Sequence, residues 1–166
     1  MALEILEILS LNDQPSGKPA RTLPRIEDFP GRTGDIIRFG DLDPQGHVNN
    51  TVFATFFETG RVMFLREPGN ALRNALHPAG TTSVLARLDI SFLREMHWPG
   101  EVEIGTGVAT IGRSSYTFLQ AIFHEGHCAA TAHATMVMID AKTRKSSPLP
   151  EAVIARLEGW RVRGAS

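Results

Sequence analysis

The stretch Gly40-Asp41-Leu42-Asp43-Pro44-Gln45-Gly46-His47-Val48-Asn49-Asn50 puts two carboxylates, an imidazole and three carboxamides directly ahead of an apolar segment, TVFATFFETGRVMFLRE. A loop carboxylate such as Asp43 can take a proton from water or attack a carbonyl carbon itself. The start of a following helix brings free N–H groups around Asn50, Thr51 and Val52, and its positive dipole end favours an oxyanion. The two together supply what acyl transfer from a carbonyl needs. Each residue also has a plainer use. Asp43 suits a turn ahead of Pro44, and Asp41 suits accepting hydrogen bonds from loop amides. His47 either polarises a carbonyl or holds the turn, while Asn49 and Asn50 are both good helix N-caps.

Further candidates lie outside that stretch. Glu58 and Arg61 are three apart on the expected helix, where a surface ion pair is the ordinary outcome. His124, His127 and His133 are near one another in sequence, but their strand and turn positions do not converge, so no metal site is expected. Cys128 is the single cysteine, which excludes an internal disulfide and a thiolate zinc cage within one chain.

The elements that must hold the loop follow from periodicity. Residues 12–34 are rich in Pro and Gly and read as an irregular lead-in, preceded by a short amphipathic helix on Leu3, Ile5, Leu6, Ile8 and Leu9. Residues 35–41 read as a strand running into the loop. Val52, Phe53, Phe56, Phe57, Gly60, Met63 and Phe64 then recur at helical spacing on one apolar face. Gly60 on that face costs about 1 kcal/mol against Ala, so a close backbone approach is expected there. From residue 84 the period changes to two, with Val84, Ala86, Leu88, Ile90 and Phe92 on one face. Strands are expected over 101–111, 116–124 and 128–139, and Ala130, Ala132 and Ala134 line a face over which a bulky helix can lie. Pro150 opens a last helix over 151–158. One strand, a buried helix and a run of antiparallel strands make an α+β domain over 35–158, with an extension at 1–34 and a tail at 159–166.

With 42% hydrophobic and 21% charged residues and a formal net charge of −1, the chain offers no broad field for nucleic acid. No apolar run approaches the roughly 20 residues that span a bilayer, and Glu4 and Glu7 stand where an export leader carries positive charge. A cytoplasmic protein without nucleic-acid or membrane partners is expected.

The pattern Asp-x-Asp-x-x-Gly-His-Val-Asn-Asn followed by Phe-x-Glu-x-x-Arg resembles the 4-hydroxybenzoyl-CoA thioesterase family of hotdog-fold acyl-CoA thioesterases. Phe92-Leu93-Arg94, Gly112-Arg113-Ser114-Ser115 and Pro148-Leu149-Pro150 resemble further family segments. The resemblance implies a long central helix wrapped by a curved antiparallel sheet, and hydrolysis of an acyl-CoA thioester. Asp43 would act as general base or nucleophile, with Glu58, used by a second branch of the family, as its rival; His47, Asn50 and Thr51 would complete the catalytic group. Asn49 and Phe53 would touch substrate, and Arg113 with Ser114 and Ser115, or less directly Arg94, Arg161 and Arg163, would meet the coenzyme A phosphates. Coenzyme A enters as part of the substrate, so no separate cofactor is implied. Active sites of the family lie between subunits, which implies a homodimer or homotetramer. Two alternatives remain: a hotdog hydroxyacyl-thioester dehydratase, although the Gly-His-Phe-Pro-Gly loop of such enzymes is missing here, and a non-catalytic acyl-CoA-binding dimer.

Overall fold

The computed structural model describes residues 23–66 and 80–164, so the helix expected over residues 3–9 lies outside the described residues. Five strands form one antiparallel sheet: β1 (Gly31–Ile37), β2 (Thr81–Phe92), β3 (Gly100–Ile111), β4 (Ser115–His124) and β5 (His127–Asp140), in the order β1-β3-β4-β5-β2. Helix α1 (Asn50–Arg66) follows β1, and α2 (Glu151–Glu158) follows β5.

Helix α1 lies against the sheet through Phe53, Phe56, Phe57 and Phe64, each nearly or fully buried. Burial of a Phe side chain is worth about 1.5–3 kcal/mol, so these rings dominate the attachment. Small side chains opposite make room for them: Ala130 and Ala132 of β5 share one apolar cluster with Phe53, Phe56 and Phe57. The close approach expected at Gly60 is present. A Cβ built there would lie 2.5 Å from Ile104 Cγ2 and 3.1 Å from both Gln120 Nε2 and Thr106 Oγ1.

The helix face differs from the periodic expectation at two positions. Met63 is half exposed, and Arg61 turns inward instead. Arg61 Nη1 donates to Gln120 Oε1 on β4 at 3.1 Å, while Gln120 Nε2 donates to the Phe57 carbonyl at 2.9 Å and to Thr106 Oγ1 at 3.0 Å. Burial holds the Arg61 pKa below its ordinary value, with the nearby Glu58 charge opposing that shift. Because the guanidinium faces Gln120 and makes no ion pair with Glu58, the surface pair expected from their spacing is not formed.

Two boundaries also move. The first strand begins at Gly31 and ends at Ile37, and residues 39–41 form a 3-10 turn rather than its continuation. Pro and Gly content suggested an irregular lead-in because β1 is an edge strand among the described residues, with β3 as its one partner there. At the other end, residues 160–162 pack on the sheet. Val108 N–H donates to the Trp160 carbonyl, Val162 N–H donates to the Val108 carbonyl, and Val162 is buried beside Phe29, Ala121 and Phe123.

Among the described residues β2 pairs with β5 alone, and a bulge between Leu85 and Arg87 interrupts the register. After the bulge, Leu88, Ile90 and Phe92 pack on the core, whereas Leu85 is exposed and Arg87 and Asp89 form an exposed ion pair at 2.7 Å. Among the described residues, no helix is long and apolar enough to cross a membrane.

Candidate active site

The loop between β1 and α1 is closed on itself by backbone bonds. Asp43 N–H donates to the His47 carbonyl at 2.8 Å, Gly46 N–H to the Asp43 carbonyl at 3.0 Å, and Asn49 N–H to the Asp41 carbonyl at 2.9 Å. Gly46 takes φ +84°, a left-handed conformation that disfavours other residues, so its place in the motif has a steric cause. The loop is then tied to the connector between β2 and β3 by Val48 N–H, which donates to the Met96 carbonyl at 2.9 Å.

Within this frame Asp43 is half-buried. Its Oδ1 accepts from Gln45 N–H at 2.8 Å and from His47 N–H at 3.3 Å. Oδ2 has no partner among the described residues. Asp41 does the loop work its type favours, accepting the Arg38 N–H at 2.7 Å.

The helix start resolves the two asparagines into different roles. Asn49 is the cap: its Oδ1 accepts the Thr51 N–H at 2.9 Å and the Thr51 hydroxyl at 2.8 Å, and its carbonyl accepts the Val52 N–H. Of the three N–H groups expected to be free, those of Thr51 and Val52 are therefore taken. Asn50 is exposed, and its N–H has no partner among the described residues.

Glu58 is exposed two helical turns further on. Phe53 is buried against Phe92, with ring centroids 5.2 Å apart and edge-on, so in this chain it serves the core. Arg113 is exposed in the β3–β4 turn, with Ser114 and Ser115 beside it. That turn and the Asp43 loop lie at opposite ends of β3, because Ile37 pairs with Gly100 whereas Tyr116 pairs with Ile111. The span of β3 separates them by about 35 Å along the sheet at the usual strand rise. One chain alone thus brings Asp43, His47, Asn49, Asn50 and Thr51 together but not Arg113, Ser114 and Ser115. Arg94 lies on the β2–β3 connector, where its N–H donates to the Ala129 carbonyl at 3.0 Å. Arg161 is held by the Glu158 carboxylate and by the Ala109 carbonyl, at 2.8 Å for the latter.

The thioesterase-like superfamily model matches residues 37–157, the greater part of the chain. The chain belongs to that family. A thioesterase from Thermus thermophilus, solved with coenzyme A and Zn, is 31% identical, covers 80% of this chain and 95% of its own, and superposes with a TM-score of 0.68. A 1,4-dihydroxy-2-naphthoyl-CoA hydrolase of Synechococcus elongatus is 25% identical over 126 residues, 75% of this chain and 90% of that protein. A 1,4-dihydroxy-2-naphthoyl-CoA thioesterase from Synechocystis, 17% identical, with 76% of this chain and 94% of that one covered, shares the fold with a TM-score of 0.66. The architecture is the hotdog fold, as the loop motif implied, and this member of the superfamily is a thioester hydrolase.

Sequence reasoning about this thioesterase missed two residues beside the loop. Glu95 Oε2 lies 3.3 Å from His47 Nε2 and 3.8 Å from His97 Nε2. The alternation Glu95-Met96-His97, with an apolar residue between two ligand-type side chains, was the available signal.

Proposed function

We propose that the protein hydrolyses an acyl-coenzyme A thioester to the free acid and coenzyme A, with Asp43 acting on water or on the thioester carbonyl. The single observation that carries this reading is the division of labour at the loop. Asp43 spends Oδ1 on the loop and keeps Oδ2 open, while the Asn49 cap takes the Thr51 N–H and leaves that of Asn50 unused. A thioester carbonyl between Oδ2 and the Asn50 N–H would meet a base and an oxyanion donor at the positive end of α1. The coenzyme A handle is supported by the relatives, one solved with coenzyme A and one named as a CoA-thioester hydrolase.

A homodimer belongs to this proposal. The edge of β2 that has no strand partner among the described residues would pair with a second copy, and antiparallel pairing across a two-fold axis would turn the partner's sheet end for end. The β3–β4 turn carrying Arg113, Ser114 and Ser115 would then lie at the same end as the Asp43 loop of the other copy. That arrangement supplies a cation for coenzyme A phosphates which one chain does not bring to the loop.

The test is release of coenzyme A from a panel of aliphatic and aromatic acyl-CoAs, read with a thiol-reactive dye. Cys128 is buried and its pKa is pushed up to about 11 by that burial, so the folded protein adds little signal. Release from at least one substrate, abolished by Asp43→Asn and largely kept by Glu58→Gln, is the expected result. The reverse ranking of the two variants would transfer the role to the helix glutamate, and no release from any substrate would favour an acyl-CoA-binding protein.

A further inference from the structure

We propose that His47, Glu95 and His97 form a binding site for one divalent ion of the zinc, cobalt and nickel class. The three side chains come from two segments, the loop after β1 and the connector between β2 and β3, and their ligand atoms all lie within 4.8 Å of one another. Both imidazoles aim Nε2 at the same carboxylate oxygen, Glu95 Oε2, at 3.3 Å from His47 and 3.8 Å from His97. Their rings stand edge-on with centroids 5.1 Å apart.

The backbone explains the convergence. Met96 is fully buried and its carbonyl accepts the Val48 N–H, so the residues on either side of it project outward together toward the loop that carries His47. Donors bound to one tetrahedral zinc at the usual 2.0–2.1 Å are about 3.3 Å apart, the separation His47 and Glu95 already have. His97 is more than half exposed, so its side chain is free to swing in from 3.8 Å to Glu95 and from a separation of at most 4.8 Å to His47. Two imidazoles and one carboxylate favour first-row transition ions over magnesium or calcium, and a water would complete four-coordination. A plain His47–Glu95 ion pair leaves the aim of His97 unexplained. The ion would clamp the loop to the connector four residues after Asp43, so its role is to fix that loop.

The site is tested with the full chain, stripped by chelator and titrated with zinc in a calorimeter and with cobalt in a visible spectrometer, no substrate being present. Failure here is therefore separate from failure of the hydrolase reading. The expected result is about one ion per chain, a cobalt spectrum of tetrahedral intensity, and affinity lowered by more than about tenfold in Glu95→Gln and in His97→Ala, each of which removes one of three donors. His127→Ala, at the exposed first residue of β5, should bind as the unaltered chain does. Absence of binding by the unaltered chain, or unchanged affinity in both Glu95→Gln and His97→Ala, would overturn the proposal.

Discussion

Helix α1 touches two polar groups that are built on opposite plans. At its middle, Arg61, Gln120 and Thr106 are buried and linked to one another and to the Phe57 carbonyl. At its start, Asp43 is half-buried and Asn50 exposed, and each keeps at least one hydrogen-bonding atom without a partner among the described residues. A buried polar group without a partner costs about 1–3 kcal/mol, so the middle must be complete. A reacting group with every valence engaged has nothing left for substrate, so the start must stay incomplete. On the proposed mechanism, one helix thus fastens the sheet along its length and reserves its first turn for chemistry.

Substitutions should separate the two plans. Asp43→Asn is expected to have the largest effect: kcat falls by about 10² to 10⁴, the usual share of a positioned base, while the melting temperature barely moves. Its carboxamide oxygen can still accept from Gln45 and His47, which is why the loop should survive. Gln120→Ala reverses the pattern. Stability falls by about 1–3 kcal/mol in denaturant unfolding, because Arg61, Thr106 and the Phe57 carbonyl lose a partner, and kcat per folded molecule is kept. Asn49→Ala stands between them. Loss of the cap should cost about 0.5–2 kcal/mol, and the freed Thr51 N–H should change kcat as well, which a joint measurement of unfolding and turnover would show. Arg113→Ala should be the smallest, raising KM for acyl-CoA a few-fold in low salt with little change in high salt, as exposed ion contacts of about 0–1 kcal/mol do.

How far each region was legible in the sequence follows from the range of its interactions. The phenylalanines of α1 and the run Leu88, Ile90, Phe92 declare their elements because periodicity is local. The loop motif was legible too, since the hydrogen bonds that close it on itself span at most eight residues, from Asp41 to Asn49, although its tie from Val48 to Met96 is long-range. The inward turn of Arg61 was hidden because its partner, Gln120, is 59 positions away. Glu95 and His97 were hidden for the same reason: only the finished chain path sets them beside His47. The choice of Asn49 over Asn50 as cap was undecidable from type alone, because both side chains suit that place and the helix boundary selects one.

The bulge in β2 has a consequence for solubility. An unpaired strand edge is a template on which copies can stack without limit. Here the break at Leu85–Arg87 twists the edge and confines any straight pairing to short runs on either side, and the charged side chains of Arg87 and Asp89 stand just past it. Such an edge can accept one matched copy in a single register while offering a poor seed for a fibril. Straightening the bulge by deleting Ala86 would therefore endanger the protein through aggregation before it altered catalysis.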